Sequence, residues 1–453
     1  MDRMSPQDAS FLHIEDDVNH MHIASVAVFE GPPPDPAEVM RMVESKLPLV
    51  PRYRQRVRFV PLEVGRPVWV DDAHFNLAYH VRATALPSPG GDEQLRNLVG
   101  RVMSQQLDRA KPLWEMWMVE GLEDGHWALL SKTHHCMVDG VSGTDLLTVV
   151  LDREPSPARE EAPPFEPGDE PGRLELVAGA LRERLSSPYE GYRAARAATR
   201  QLRDVGRGLR SMAGLVRATP ASTLNGPIGP HRKWAWARST LDDVKTVRAG
   251  LGGTVNDVVL AAITRGFRDL LESRGESTDR VVRTLVPVSV RTAGERGTYN
   301  NKVSAMFASL PVGIVDPRER LESIKEQMTG LKESKQAVAG EVLTSLTGFA
   351  PPQLLALGTR LFSRFNQRNI NTVTTNVPGP QYPLYAAGRR MLESFPYVPL
   401  VGSVRVGVAI FSYNGLLSFG VTGDLDSAPD VQVLCDGIEQ GMAELVKLAD
   451  SSG

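Results

Sequence analysis

The sequence predicts an α/β protein built as two domains, and three observations carry that reading. At 453 residues the chain is longer than one ordinary hydrophobic core supports. Short apolar or alternating runs, read as strands, are interleaved with segments of helical periodicity in both halves. Between the halves, residues 152–172 hold six prolines and many acids, the composition of an exposed linker. The division that follows is a first domain over 1–151, a Pro-rich linker with a basic helix over 152–222, and a second domain over 223–453.

In order along the chain, Ser5-Pro6 opens a capped turn of helix, and 23–30 alternates as a strand. Residues 35–47 have helical spacing, with Pro36 suited to the first helical position. A short strand covers 67–70. The segment 92–107 is an amphipathic helix with Leu95, Leu98, Val99, Val102, Met103 and Leu107 on one side. Strands at 112–117 and from about 126 follow. In the second half, 254–274 reads as a helix, 281–290 as a nearly continuous apolar strand, and 303–312 as another strand. Helices are expected at 316–335 and 352–366, and a strand at 372–377. A hairpin over 403–423 turns at Asn414-Gly415, the strongest short turn signal in the chain. A helix over 431–448 closes the sequence.

Composition narrows the function classes. The chain is 42% hydrophobic and 23% charged, a globular balance, and a net charge of -3 gives no reason to expect nucleic acid. Two cysteines, Cys136 and Cys435, fit a reducing compartment and exclude a disulfide framework. The N-terminus lacks the layout of a signal peptide, and no apolar run approaches the roughly 20 residues that span a bilayer. The expectation is a cytoplasmic protein, at most resting on a membrane or lipid-droplet surface. The segment 189–218 bears on that surface, because arginines at 193, 196, 200, 203, 207, 210 and 217 fall on one helical stripe. It reads either as an interfacial helix meeting anionic lipid or phosphate, or as the solvated face of a linker helix. Gly206, Gly208 and Gly214 weaken the helix and favour the second reading.

The chemistry centres on His134-His135-Cys136-Met137-Val138-Asp139-Gly140, placed between an apolar strand and the expected start of a helix at 141–147. Such a junction is a rigid mount for a reactive side chain. Neighbours in an extended segment face opposite ways, so one histidine is the base and the other a support. Gly140 suits a turn without side-chain bulk. A metal site fits poorly, because the two rings diverge and Asp139 would need a helical turn to join them. Cys136 as nucleophile also fits poorly, since its neighbouring ring faces away and a cysteine is commonly a small buried hydrophobe. A general base acting on a hydroxyl fits better, since an alcohol is a weak nucleophile and a histidine titrates near neutrality. The chain has no G-x-S-x-G, Walker A, G-x-G-x-x-G or C-x-x-C motif, which argues against the common serine hydrolase, nucleotide and zinc-ribbon classes.

The run His134–Gly140 fits the HHxxxDG signature of the CoA-dependent acyltransferase superfamily. Further blocks resemble its bacterial wax ester synthase/diacylglycerol acyltransferase branch, in that branch's order. They are Pro112-Leu113-Trp114-Glu115, Asn225-Gly226-Pro227, Asn256-Asp257-Val258-Val259, Val286-Pro287-Val288-Ser289-Val290-Arg291 and Thr375-Asn376-Val377-Pro378-Gly379-Pro380. The resemblance runs from Ser5 to the final helix. It implies two chloramphenicol-acetyltransferase-like domains, each a mixed sheet flanked by helices, sharing an interface tunnel. It also implies His135 as the base and Asp139 as a structural carboxylate turned from the substrate, for which Arg291 is the candidate partner. Asn256 would assist the oxyanion or the second substrate, or act only as a polar residue at a helix start. Thr375 and Asn376 would line the tunnel, or mark a strand-to-turn transition. Pro112-Leu113-Trp114 would shape core and loop.

The implied reaction moves a long-chain acyl group from acyl-CoA, a co-substrate, to diacylglycerol or a long-chain alcohol. It would need neither a metal nor a cofactor. Two rival readings are a carrier-protein-dependent condensation or polyketide-type acyltransferase, and an inactive lipid-binding homologue.

Overall fold

Helix starts follow the capping chemistry written in the sequence. In the computed structural model, residues 2–137, 149–157, 163–186, 222–289, 303–333 and 370–451 are described. The first part runs β1 (Asp2–Arg3), α1 (Pro6–Ile14), β2 (His22–Phe29), α2 (Pro36–Lys46), β3 (Gln55–Arg58), β4 (Val68–Asp71), α3 (Leu77–His80), β5 (Val81–Ala85), α4 (Asp92–Met103), β6 (Trp114–Glu120) and β7 (Trp127–His134). A single tight 3-10 turn, His135–Met137, follows β7. The remainder runs α5 (Arg173–Ser186), β8 (Arg232–Thr240), α6 (Leu241–Leu251), α7 (Val255–Ser273), β9 (Val282–Ser289), β10 (Val303–Leu310), α8 (Pro317–Glu333), β11 (Thr372–Pro378), β12 (Tyr385–Ala386), β13 (Arg389–Tyr397), β14 (Val406–Tyr413), β15 (Leu416–Asp424) and α9 (Val431–Asp450). The helix expected at 352–366, the helix start at 141–147 and the basic segment 189–218 lie outside the described residues.

Ser5 caps α1 by accepting the Asp8 N–H at 3.1 Å, and Asp35 caps α2 by accepting the Ala37 N–H at 2.7 Å. Thr254 and Asp257 satisfy each other's backbone N–H groups at the start of α7, a full capping box. Asn414 and Gly415 take φ values of 45° and 86°, the left-handed pair that a two-residue hairpin turn demands, and so join β14 to β15 in register.

Two six-stranded mixed sheets organise the molecule. The first has the order β12-β13-β2-β7-β6-β5, antiparallel except for β5 beside β6. The second has the order β10-β9-β11-β14-β15-β8, with β11 parallel to both neighbours. A small β1-β4-β3 sheet stands apart. The second sheet packs its apolar face on α6, α7 and α9 through Val244, Val259, Phe267, Leu434 and Ile438, all buried. Each such side chain withdrawn from water stabilises the fold by about 1.5–3 kcal/mol. The first sheet buries both faces, Phe29, Trp114 and Trp127 on one side and Val26 and Leu130, in one cluster with Val99 of α4, on the other.

The sequence reading leaves β13 and its role unassigned. Although it lies within 223–453, β13 pairs antiparallel with β2 and so belongs to the first sheet. Its outer face meets the second sheet. Phe395 stacks on Trp236 with centroids 4.5 Å apart, and Arg238 of β8 forks onto Glu393 at 2.8 and 2.9 Å. Gly420 of β15 sits so close to this strand that an added Cβ would fall 1.6 Å from the Pro396 carbonyl oxygen, so glycine is required there.

Residues 153–156 and 166–170 are exposed, whereas the residue before them is not. Asp152 is buried, pairs with Lys46 at 2.8 Å and exchanges backbone hydrogen bonds with Tyr385. A buried carboxylate needs such a partner, and the bridge ties the start of the linker to the first sheet.

Candidate active site

The two motif histidines end up in different surroundings. β7 pairs with β2 along its length, placing His134 opposite His22. The chain then tightens into the turn His135–Met137, anchored by the His134 N–H to Leu113 O at 2.9 Å and the His135 N–H to Met21 O at 2.8 Å. His134 is fully buried, whereas His135 keeps partial exposure. The His135 ring lies against Phe11 of α1, with centroids 4.0 Å apart and the planes tilted by 31°. Its Nδ1 is sealed from solvent. Burial lowers the ring's pKa from 6.5 to about 4, with a further push from His134 and a partial offset from its own backbone carbonyl. His135 is therefore neutral at pH 7 and has a lone pair able to take a proton.

Beneath the turn lies a cluster of buried ionisable groups. Glu15, just past α1, has Oε1 3.2 Å from His22 Nε2 and Oε2 3.3 Å from His134 Nε2. Arg109 donates to Oε2 from Nη2 at 2.5 Å and from Nε at 3.1 Å. Burial raises the Glu15 pKa, but close contact with His134 and His22 outweighs it and holds the carboxyl well below the usual range. His22 is driven the other way by burial, to about 3. His22 is therefore neutral at pH 7, and Arg109 is the guanidinium that pairs with Glu15. An isolated buried carboxylate would cost several kcal/mol, and the guanidinium offsets that cost. Lys132 of β7 is also fully buried, and burial lowers it to about 8. It donates to the carbonyls of Val102 and Gln105, closing the carboxyl end of α4. Burial pushes the Cys136 thiol well above its ordinary value, which removes it as a nucleophile.

The second half contributes a neutral site. Asn376, near the end of β11, donates through Nδ2 to Asn256 Oδ1 in the first turn of α7 at 2.7 Å, so two residues singled out in sequence touch. Thr375 is its neighbour in the strand and faces the other way. β11 pairs with β14 throughout, but with β9 only at Thr372–Thr284 and Val373–Leu285. The Thr284 hydroxyl donates to the Thr374 hydroxyl at 2.8 Å where the strands part. Beyond that point β9 stays with β10 as far as Ser289. Parallel strands that diverge leave a gap at their carboxyl ends, a common ligand position in α/β sheets. Asp139, Gly140 and Arg291 lie outside the described residues, so the expected pairing of Asp139 with Arg291 falls there too.

Sequence reasoning missed Glu15, His22, Arg109 and Phe11. The pair His20-Met21-His22 at the head of β2 was the available signal, since alternate residues of a strand share one face. Among the described residues no cluster of His, Cys, Asp or Glu has metal-holding geometry, and no helix is long and apolar enough to cross a membrane.

Comparison with known proteins agrees with this architecture. The family model for the wax ester synthase/diacylglycerol acyltransferase catalytic domain matches residues 4–259, and that for the family's C-terminal domain matches 299–446. A protein of Mycobacterium tuberculosis named "Probable diacylglycerol O-acyltransferase tgs1" is 37% identical over 452 residues, covering 99% of this chain and 96% of its own. A second, "Probable diacylglycerol O-acyltransferase tgs2", is 31% identical over 457 residues, covering 98% and 99%. The solved wax ester synthase/diacylglycerol acyltransferase of Marinobacter aquaeolei VT8 superposes with a TM-score of 0.71 at 28% identity, covering 99% of this chain and 100% of its own. The first condensation domain of the CDA synthetase shares the fold at a TM-score of 0.61 and 18% identity, covering 98% of this chain and 94% of its own. The chain belongs to the wax ester synthase/diacylglycerol acyltransferase family and is an acyltransferase of that type.

Proposed function

We propose that the protein transfers a long-chain acyl group from acyl-CoA to the hydroxyl of diacylglycerol, giving triacylglycerol, and that long-chain alcohols serve as second acceptors. The observation that carries this reading is the state of His135, a ring held neutral at pH 7 on a pinned turn at the motif position. In the proposed step His135 takes the hydroxyl proton as the alcohol oxygen attacks the thioester carbonyl. The carbon–sulfur bond then breaks, and the same ring returns the proton to the departing CoA thiolate. No acyl-enzyme is required. The Asn256–Asn376 pair supplies a neutral polar edge for the oxyanion or the acceptor. The parting of β9 and β11 supports an interface tunnel that admits the donor, and the division into two domains over 1–151 and 223–453, with β12 and β13 crossing into the first sheet, belongs to the same proposal.

The test is product analysis with palmitoyl-CoA offered together with diacylglycerol and hexadecanol. Triacylglycerol in excess over wax ester is expected. Wax ester as sole product would replace the acceptor, and turnover only with an acyl-loaded carrier protein would replace the donor.

A further inference from the structure

We propose that Glu15 is a positioning residue for the transfer, setting the tautomer of His134 and through it the turn that presents His135. The inference rests on His135 being the base, as proposed above. The first link is the helix α1. It carries Phe11 against the His135 ring, and one turn later the chain delivers Glu15, whose N–H still donates to Phe11 O at 3.2 Å. One short element therefore touches both motif histidines.

The second link is proton placement. The N–H of Cys136 donates to His134 Nδ1 at 3.1 Å. A neutral imidazole has one N–H, so an accepting Nδ1 puts the proton on Nε2. That nitrogen lies 3.3 Å from Glu15 Oε2, and a carboxylate favours an N–H over a lone pair. Moving the proton to Nδ1 would set a lone pair against the carboxylate and leave the Cys136 N–H facing another N–H. Both ends of the ring therefore select one form. Cys136 is the middle residue of the turn that begins at His135, so its N–H bond to His134 holds the curvature that aims the neighbouring ring.

The third link is what holds Glu15. Arg109 grips Oε2 twice, His22 stands at Oε1, and the side chain of Glu15 is 3% exposed. The carboxylate has little freedom to leave its place. Glu15 touches no reacting atom in this arrangement and acts only through His134.

Glu15→Ala, Glu15→Gln and His135→Ala in the full chain test this, with histidine-labelled nitrogen NMR reading the ring tautomers and His134→Asn assigning the His134 signals. Glu15→Ala is expected to lower kcat by about 10²-fold, the scale on which a displaced catalytic group loses rate, with KM for acyl-CoA within about two-fold. Its His134 signals should move away from the pure Nε2–H pattern. Glu15→Gln, which keeps an oxygen beside Nε2, should recover most of the rate and the original pattern. Wild-type kcat in Glu15→Ala, or an unchanged His134 tautomer, overturns the proposal. If Glu15→Ala does not fold, Arg109→Gln loosens the same carboxylate from outside: a several-fold fall in kcat at constant KM supports the proposal, and wild-type kcat overturns it. Full turnover in His135→Ala would remove the base reading instead, while the NMR still reports whether Glu15 governs His134.

Discussion

At the end of β7 the polar groups are ionisable and packed in depth: His135 over Phe11, with His134, His22 and Glu15 beneath and Arg109 reaching Glu15 from the surface. At the end of β11 they are neutral amides, Asn376 on Asn256, at the edge of a parting sheet. The first arrangement needs a particular set of protonation states, since a misplaced proton in a buried network leaves groups facing without a hydrogen bond between them. The second needs only shape, because an amide pair carries the same charge at any ordinary pH. Charge substitutions and acid should therefore disturb the β7 end, and truncations alone should disturb the β11 end.

The largest contrast comes from removing the base. His135→Ala is expected to lower triacylglycerol formation by about 10²–10⁴-fold, the range for loss of a positioned general base, in a protein that keeps its fold. Unchanged turnover in the purified variant would erase the distinction between the two ends. Asn376→Ala should cost less, because it removes one neutral hydrogen bond of about 1 kcal/mol, so kcat/KM should fall by about five-fold. Its pH profile should overlay the parent's, and a shifted profile would show that the amide end is coupled to the histidines.

Stability in mild acid sharpens the comparison further. His135 and His22 have folded pKa values of about 4 and 3, below their ordinary 6.5. Between about pH 6.5 and 4 the unfolded chain therefore binds more protons than the folded one, and stability falls as pH falls. The Glu15 carboxyl, held low, has the same sign: its contribution is present above its ordinary 4.5 and is lost toward stronger acid. The urea midpoint should decline from pH 7 to pH 4.5. A flat midpoint would mean that the rings are not held neutral.

Much of this was legible in the chain itself because the signals are local. Ser5, Asp35 and Thr254 mark helix starts through hydrogen bonds to residues two or three positions away. Asn414-Gly415 marks its hairpin through backbone freedom, whereas the different surroundings of His134 and His135 come from a 3-10 turn that begins at His135 rather than from strand alternation. β13 was not legible. Its sequence, Arg389-Arg390-Met391-Leu392-Glu393-Ser394-Phe395-Pro396-Tyr397, lacks clean alternation, and its partner β2 lies more than 350 residues earlier.

By itself, then, the sequence determined the class of fold, the family and the motif histidine pair, all properties of near neighbours or of ordered blocks along the chain. Only the tertiary structure decided that Glu15, just past the first helix, would be buried against His22, His134 and Arg109, and that Asn376 would reach Asn256. Nothing in the surroundings of Glu15 along the chain distinguishes it from a solvated glutamate. Its charge state and its partners exist only once β2, β7 and the end of α1 close around it and exclude water.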